Sequence, residues 1–296
     1  MPPIPLSTLN GYTSSDDLVS AIGSIYEHSP WISSSTFSSA PPPYSSLTAL
    51  HTSLKATVSA ATQEQKLNLV NAHPDLAGKA ALSNSLTAES ASEQSRAGLT
   101  SLSTSEMSTF TSLNAQYKEK FSHVFILAVR NASKHAIINA MRARLNNSPE
   151  TELGECLTQI HKIAWMRLLD LVEPNPTGFL TCHVLDTACG CPAAGMRVTL
   201  SRLSGAGPVG PIAEFLTNED GRLPGGPALK GLDFSVGAFE WVFFVGDYFL
   251  TKAGQTVSGQ PFLGEVPIRF GIDNPEDHYH VPLLCSPFSF STYRGS

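Results

Sequence analysis

The 296-residue chain is 42% hydrophobic and 15% charged, which is enough apolar material for one large domain or two domains of ordinary size. Its formal net charge is −6, and its 19 Lys and Arg residues are scattered, which excludes a basic face for nucleic acid or anionic lipid. No apolar run approaches the roughly 20 residues that cross a bilayer, and the N-terminal residues lack the pattern of a signal peptide. We therefore expect a cytoplasmic protein without a nucleic-acid or membrane partner.

The first 172 residues carry the apolar spacing of helices. Apolar residues recur every three or four positions in 107–121, 137–145 and 157–171, which aligns them in one stripe of each helix. The Ser- and Pro-rich stretch 29–46 has a composition that argues against regular helix, so we predict a long irregular connection there. These patterns predict an all-α domain over residues 1–172.

His73 is the first candidate functional residue. It precedes Pro74, which disfavours helical backbone at the histidine and places it in a turn that can face a cleft. The same pattern also fits an ordinary packed or surface histidine beside Asp75, a residue that can cap the following helix. His73 alone therefore does not distinguish a functional residue from an ordinary histidine.

A polar cluster follows in the segment SASEQ. Ser90 and Glu93 match a capping box with Ser90 as the N-cap, which is a purely structural interpretation. The alternative is that Ser90, Glu93 and Gln94 share one helical face with the small Ala97, where they could bind the donors and acceptors of a ureide.

Arg167 lies near the apolar stripe of the last helix of this half, four residues after Ile163 and seven after Ile160. A guanidinium directed toward a core needs an anionic or carbonyl partner, and a substrate carboxylate would supply one. Alternatively, the side chain extends along the stripe to solvent.

The helical spacing stops at residues 173–178, where two prolines and a glycine remove amide donors, so we place a linker there. Beyond it, short β-rich runs alternate with Gly, Pro, Asn and Asp turns, which predicts an antiparallel all-β sandwich over residues 179–296. The predicted strands are 179–185, 196–203, 211–217, 240–245, 265–270 and 279–285.

Cysteine usage favours a reducing compartment, because five cysteines cannot all pair within one chain. The Cys189-Gly-Cys191 spacing is not CxxC and has no second pair, so a metal or redox site is disfavoured. We expect inert thiols at Cys156, Cys182, Cys189, Cys191 and Cys285.

The N-terminal half resembles the 2-oxo-4-hydroxy-4-carboxy-5-ureidoimidazoline (OHCU) decarboxylases over about residues 5–172. The resemblance rests on HPDLAGKAAL (73–82), LTAESASEQSRAGL (86–99), LNAQYKEKF with FILAVR following (113–130) and IAWMRLL (163–169). It implies an all-helical, generally dimeric enzyme that uses no metal or organic cofactor. It also implies that His73 is the general acid/base and that the substrate contacts are Ser90, Glu93, Gln94, Arg167 and the backbone around Ile126 and Leu127.

The β half contains three polar groups that could meet. Asn218 to Gly221 has the composition of a tight turn, with Arg222 directly after it at the foot of a strand. His278 and His280 are two residues apart in a predicted strand, so both point to one face, where a third ligand would complete a zinc site. We keep a zinc hydrolase as an alternative.

This half resembles the transthyretin-like 5-hydroxyisourate hydrolases over 179–296. The resemblance rests on HVLDT with GCPA following, the DGR turn, HYHVPLL and the terminal YRGS, which marks the hydrolases against hormone-carrying transthyretins. It implies a metal-free homotetramer with pockets at subunit interfaces. It also implies catalytic roles for His183, His280, Arg222 and Tyr293, with Arg294, Gly295 and Ser296 completing the pocket and His278 supporting it. Cys189 departs from the arginine that many members carry.

The two resemblances meet at one metabolite, because the product of the hydrolases is the substrate of the decarboxylases. We therefore expect a cofactor-free bifunctional enzyme that converts 5-hydroxyisourate to (S)-allantoin, acting on small molecules as a homo-oligomer. The competing hypothesis is a helical decarboxylase fused to a non-catalytic transthyretin-like binding or oligomerisation module. Peroxisomal location stays open, although RGS is no SKL-type signal.

Overall fold

The computed structural model describes residues 3–77, 87–130, 132–175, 177–205, 207–252 and 260–295. Residues 78–82 of the first motif, Leu86 of the second, Pro176 of the expected linker and Ser296 lie outside this part of the chain. The chain divides into two compact units, Met1–Glu173 and Pro174–Ser296. Within the described ranges, no helix is both long and apolar enough to cross a membrane.

The first unit is helical, with a short parallel pair of strands, β1 (Ile4–Pro5) and β2 (Val172–Glu173). Most of its helices start at a Ser or Thr N-cap whose side-chain oxygen accepts a backbone N–H of the first turn, as at Ser14, Ser46, Thr87 and Ser148. The helices are α1 (Leu6–Asn10), α2 (Ser15–Ile22), α3 (Trp31–Ser39), α4 (Leu47–Ala60), α5 (Gln63–Asn71), α6 (Ala88–Arg96), α7 (Thr104–Phe121), α8 (Lys134–Arg144) and α9 (Pro149–Leu171).

The prediction of an irregular connection over 29–46 is wrong for Trp31–Ser39, which form the regular helix α3, whereas residues 40–46 are irregular. The Ser38 and Ser39 hydroxyls donate to carbonyls one turn back, at 3.1 and 2.9 Å, so they add to the helical hydrogen bonds. Ile32 and Thr36 are fully buried, and α3 packs against α2 and α4. Tertiary packing thus overrides the weak helix propensity of a serine-rich segment.

The apolar core of the helical unit forms two clusters that meet at segment 124–129. The first cluster packs α2, α4, α5 and α9, and the second packs α7 and α8. Segment 124–129 is extended, and its neighbouring side chains pack into different clusters: Val124 and Ile126 into the first, Phe125 and Val129 into the second. The segment is therefore held from both sides.

A buried ion pair fixes the backbone of this segment. Arg144, at the end of α8, donates through Nε to the Glu152 carboxylate at 2.8 Å and through Nη1 to the Ile126 carbonyl at 2.7 Å. Glu152 is fully buried and also accepts bonds from Tyr117 and from Asn147. Because a buried carboxylate needs such partners, the position of Ile126 depends on this network.

The second unit is built from strands in two layers. Its sheets have the strand orders β10-β9-β6-β7, β11-β3-β8 and β13-β12-β4-β5. Buried Val198 and Phe243 of one layer pack in one cluster with Val184 and Leu283 of the other. The strands are β3 (Phe179–Thr181), β4 (Val184–Asp186), β5 (Cys191–Pro192), β6 (Arg197–Gly205), β7 (Gly210–Leu216), β8 (Leu229–Lys230), β9 (Gly237–Phe243), β10 (Val266–Ile272), β11 (His278–His280), β12 (Leu283–Cys285) and β13 (Phe290–Thr292).

Three details of the second unit differ from the sequence prediction. The sheets are not wholly antiparallel, because β11 pairs with β3, and β12 with β4, in parallel. The predicted strand 240–245 ends at Phe243, and a helix that the prediction missed follows as α10 (Val245–Lys252). The runs 179–185 and 279–285 each split into two strands, since the chain changes sheet at residues 182–183 and 281–282. Periodicity alone does not report such a change of partner.

The prediction that all five cysteines are free thiols is wrong for two of them. Cys189 and Cys191 form a disulfide, whereas Cys156, Cys182 and Cys285 are free and buried. Gly190 adopts φ 70°, and the resulting turn brings the Cα atoms of the two flanking cysteines to 5.5 Å, within reach of a disulfide. An odd cysteine count excludes only complete pairing, so it is compatible with a disulfide between near neighbours.

We predict that Glu152→Ala lowers the free energy of unfolding of the helical unit by about 3–5 kcal/mol, because Arg144 then stays buried without its counter-charge. Unfolding in urea followed by the helical circular-dichroism signal measures the change. Glu150→Ala, in the exposed first turn of the same helix, is the control and should change unfolding little. Equal effects of the two variants would contradict the prediction.

Candidate active sites

A small, partly open cleft lies where the two clusters of the helical unit meet. It is lined by every residue that the sequence proposed for this half. The lining residues are His73, Pro74, Leu76, Ser90, Glu93, Gln94, Phe125, Ile126, Leu127, Val129, Ile163 and Arg167. Segments far apart in sequence thus converge on one polar cleft with apolar walls.

His73 lies in the turn that follows α5, as its position before Pro74 predicts. Its Nδ1 is 2.9 Å from the carbonyl of Leu69, which accepts, so Nδ1 carries the proton of the neutral ring. Its Nε2 is buried and has no hydrogen-bond partner among the described residues. Nε2 therefore presents an unused lone pair at a residue that lines the cleft.

Burial holds His73 in the neutral form. It lowers the pKa of His73 to about 4, although the Leu69 carbonyl and the negative charge of Glu27 act in the opposite direction. A neutral ring can begin the general acid/base role that the resemblance implies only by accepting a proton. Near neutral pH, Nε2 of His73 is therefore free to accept a proton.

Arg167 is buried between two carboxylates of the protein. Its Nε and Nη2 both donate to Glu93 at 3.0 Å, and its Nη1 donates to Glu27 at 2.7 Å. The counter-charge that a buried guanidinium needs is thus supplied by the protein itself, and Arg167 also lines the cleft, where the resemblance places a substrate contact. Arg167 neither extends to solvent nor lacks a counter-charge.

Glu27 is a site residue that sequence reasoning missed. Its carboxylate accepts bonds from Thr87 at 2.6 Å and from Ser90 at 3.1 Å as well as from Arg167. Burial alone would raise the pKa of Glu27, but the bond from Thr87 and the charge of Arg167 outweigh burial and lower it. No spacing pattern marks Glu27, because it lies in a short turn after α2 and meets its partners only in the folded chain.

Helix α6 begins one turn earlier than the capping-box interpretation predicts. Its N-cap is Thr87, whose hydroxyl accepts the Ser90 amide, so Ser90 is not the N-cap. Ser90 and Glu93 instead lie on the face that meets Arg167. The hypothesis of a shared polar face is the one that the geometry favours.

Gln94 supports the turn that carries His73. Its Oε1 accepts the Ala77 amide at 3.0 Å and its Nε2 donates to the Asp75 carbonyl at 3.4 Å. Asn114 donates to the next carbonyl in this turn, that of Leu76, at 2.9 Å. The Gln94 side chain thus fixes the backbone of the turn that carries His73, a role that the sequence did not suggest.

The second candidate site lies in the β unit, where His183 and His280 face each other with ring centroids 6.5 Å apart. The predicted turn forms before Arg222, which pairs with His183 as an isolated antiparallel bridge. Gly221 is required in this turn, because its φ is 71° and a Cβ would lie 2.2 Å from the Val184 carbonyl oxygen. The turn therefore brings Arg222 to His183.

Both histidines are held neutral. Burial and the positive charge of Arg222 lower the pKa of His183 and of His280. The Nε2 atom of His183 is buried without a hydrogen-bond partner in the described part of the chain. The two imidazoles can therefore accept a proton near a fixed positive charge.

His278 and His280 share one face of β11, as their spacing predicts, and both contact one hydroxyl. The Oγ1 atom of Thr181 is 2.7 Å from Nε2 of His278 and 2.9 Å from Nδ1 of His280. In the described ranges, no third His, Cys, Asp or Glu completes a metal site with this pair. The zinc alternative thus gains no support from the geometry.

The C-terminal residues meet this site through backbone bonds. The Gly295 amide donates to the His280 carbonyl at 2.8 Å, and a Cβ at Gly295 would approach the His280 ring to 2.8 Å. Tyr293, by contrast, is 56% exposed and is not part of the buried histidine group within one chain. Arg294 lies over the Tyr279 ring at 4.2 Å.

Comparison with known proteins assigns each of the two units to a family. A family model of OHCU decarboxylase matches residues 12–169, and a model of the HIUase/Transthyretin family matches 180–295. The chain is 50% identical over 124 residues to the 5-hydroxyisourate hydrolase of Pseudomonas aeruginosa, covering 42% of this chain and 96% of the relative. It is 40% identical over 155 residues to the OHCU decarboxylase of Haloferax volcanii, covering 52% and 89% respectively.

A solved structure matches nearly the whole chain. The crystal structure of an (S)-allantoin synthase is 46% identical, covers 99% of this chain and 100% of its own, and superposes with a TM-score of 0.85. The all-α and all-β units that the sequence predicted are thus confirmed, and so are the two resemblances on which they rested. The chain belongs to the OHCU decarboxylase family through its helical unit and to the HIUase/Transthyretin family through its β unit.

Proposed function

We propose that the two candidate sites catalyse consecutive reactions. The chain is a bifunctional enzyme that hydrolyses 5-hydroxyisourate to OHCU in its β unit and decarboxylates OHCU to (S)-allantoin in its helical unit. The observation that carries this assignment is the presence of both families in one chain that matches an (S)-allantoin synthase over 99% of its length. The reactions fit each other, since one produces what the other consumes.

In the helical unit, the reaction needs orientation and proton transfer without a cofactor. When the bond from C4 to the carboxylate breaks, its electron pair forms a C4=C5 double bond, the π pair of the adjacent C=N bond moves to the ring nitrogen, and that nitrogen takes a proton from solvent. His73 Nε2 then accepts the proton of the C4 hydroxyl, which becomes a carbonyl, and returns the proton to C5 on one face of the planar ring, which sets the handedness of the product. The neutral state of His73 supports this role.

The cleft also presents acceptors that suit a ureide. The Glu93 carboxylate, oriented by Arg167, offers its remaining lone pairs to ureido N–H groups. Ser90 and Gln94 position the carboxylates and the His73 turn, and the backbone at Ile126 and Leu127 forms the opposite wall. Arg167 is in this scheme a residue that orients Glu27 and Glu93.

In the β unit, a histidine accepts a proton from water while the water oxygen attacks the ring carbonyl. The C–N bond of the ring then breaks, and its nitrogen leaves with the proton. The positive charge of Arg222 stabilises the oxyanion that forms. The lowered pKa values of His183 and His280 favour the proton-accepting form at neutral pH.

We also propose that the protein is a homo-oligomer, a tetramer through the β unit with dimer contacts through the helical unit. Several large apolar side chains of the β unit are exposed, which suits a protein interface. They are Ile212, Leu216, Phe288, Phe290 and Tyr293. Tyr293 and Ser296 would complete a hydrolase pocket at such an interface.

The two activities should be separable, because each site draws its residues from one unit. His73→Ala should slow decarboxylation at least about 100-fold and accumulate OHCU, while consumption of 5-hydroxyisourate changes by less than about tenfold. His183→Ala should slow consumption of 5-hydroxyisourate at least about 100-fold, while decarboxylation changes by less than about tenfold. NMR of fresh reactions, with spontaneous decay subtracted, measures both steps. If His183→Ala hydrolyses at the normal rate, His183 has no catalytic role in the β unit.

Arg167→Lys should slow decarboxylation about 10- to 100-fold, because one ammonium cannot bond both carboxylates as the planar guanidinium does. Hydrolysis in the same protein should stay unchanged and thereby reports an intact β unit. Arg142→Lys, on the exposed face of α8, is the matched control. Normal decarboxylation by Arg167→Lys would exclude the orienting role.

The decarboxylation rate should depend on pH with an acid limb near the pKa of about 4 of His73. Because the pKa is lowered from its usual value, Nε2 stays unprotonated above about pH 4 and becomes protonated only below it. Stopped-flow measurement of kcat/KM on freshly generated OHCU gives the profile. An acid limb between about pH 6 and 7 would show that burial does not control His73.

A further inference from the structure

Thr181 occupies a position between two histidines of the β unit. It is the last residue of β3, which runs parallel to β11 in a register that pairs Thr181 with His280. Its hydroxyl oxygen lies 2.7 Å from His278 Nε2 and 2.9 Å from His280 Nδ1. One hydroxyl thus contacts a nitrogen of each ring.

The proton count of the hydroxyl restricts both rings. A threonine hydroxyl has one proton, so it can donate to one nitrogen only and must accept from the other. In the first arrangement, His280 Nδ1–H donates to Thr181, and Thr181 donates to His278 Nε2. In the second, the order is reversed and His280 carries its proton on Nε2. Only the first leaves Nε2 of His280 as a base.

We propose that Thr181 is a positioning residue for hydrolysis, which fixes His280 in the tautomer with Nδ1 protonated and Nε2 free to accept a proton from water. This inference rests on the proposed hydrolysis in the β unit. Thr181 touches neither water nor substrate in this scheme and acts through the orientation of His280.

The environment of each ring is compatible with this arrangement. His278 stacks on Phe179 with ring centroids 4.2 Å apart, which fixes its plane and aims Nε2 at Thr181. The charged or titratable groups that face His280 are Arg222, His183 and His278, and burial together with these groups lowers its pKa. An acidic orienting group would instead place negative charge where Arg222 must stabilise an oxyanion. A neutral hydroxyl orients the ring without that charge.

The proton moves as follows. The O–H bond of water breaks as its oxygen bonds to the ring carbonyl, and Nε2 of His280 takes the proton. The imidazolium then donates its Nδ1–H more strongly to Thr181, since a hydrogen bond from a charged donor is stronger than one from a neutral donor. When the C–N bond of the ring breaks, Nε2 returns the proton to the leaving nitrogen.

The test compares Thr181→Val and Thr181→Ser in the full-length protein. Thr181→Val keeps the shape but removes the hydroxyl, so kcat for hydrolysis should fall about 10- to 100-fold with little change in KM. The acid limb of its pH profile should move to lower pH, because the imidazolium loses its acceptor. Thr181→Ser should recover most of the rate.

Thr187→Val is the matched control, because it removes a threonine hydroxyl that donates to the Cys285 carbonyl at 3.0 Å elsewhere in the same unit. It should hydrolyse within about threefold of the wild type. Decarboxylation by the helical unit should be equal in all the variants.

The tautomer itself can be observed by ¹⁵N NMR of the imidazoles. In the wild type, the His280 signals should report a protonated Nδ1 and an unprotonated Nε2, and Thr181→Val should lose this preference. If the wild type does not hydrolyse 5-hydroxyisourate, the proposed function fails. If the wild type is active but Thr181→Val keeps its kcat and pH profile, or if Ser is as poor as Val, the role of Thr181 is wrong.

Discussion

The burial of Arg167 is the constraint on which the helical site depends. A guanidinium inside a core must be paired, and the chain meets this requirement with carboxylates from two other segments, Glu27 and Glu93. Three elements that are distant in sequence, the turn after α2, helix α6 and helix α9, are thereby fixed to one another. Because two carboxylates share one guanidinium, the set of Glu27, Glu93 and Arg167 keeps a net negative charge beside the cleft. Its carboxylate oxygens can accept hydrogen bonds from ureido N–H groups.

Burial also determines the protonation state of the histidines in both units. Each is partly withdrawn from water, so its neutral form is favoured. Each also has its Nδ1 engaged by a neutral oxygen, the Leu69 carbonyl for His73 and the Thr181 hydroxyl for His280. Two unrelated folds thus share one local arrangement, a neutral imidazole whose Nδ1 contacts a neutral oxygen.

Residues outside the clefts determine how accurately the site residues are held. Arg144 and Glu152 fix the Ile126 carbonyl from within the core, and Gln94 fixes the turn of His73 through its backbone. These side chains form their hydrogen bonds with other groups of the protein. Since small displacements of reacting groups reduce rates strongly, such supports matter to catalysis without any contact to substrate.

The sequence by itself determined what depends on neighbouring residues. Apolar spacing gave the helical and β units, the turn at His73 followed from Pro74, and a two-residue spacing placed His278 and His280 on one face. The motifs indicated both families and the residues around each cleft. These features are local, because the period of a helix or strand and the restriction before proline act within a few residues.

Tertiary structure alone decided the partners of these residues. Glu27 meets Arg167 across 140 positions, and Thr181 meets His280 across 99. The helix at Trp31–Ser39 also formed against its composition, since packing against α2 and α4 outweighs serine propensity. Which charge neutralises Arg167, and which histidine nitrogen stays free, depend on burial and on contacts between distant segments, which no local pattern in the chain encodes.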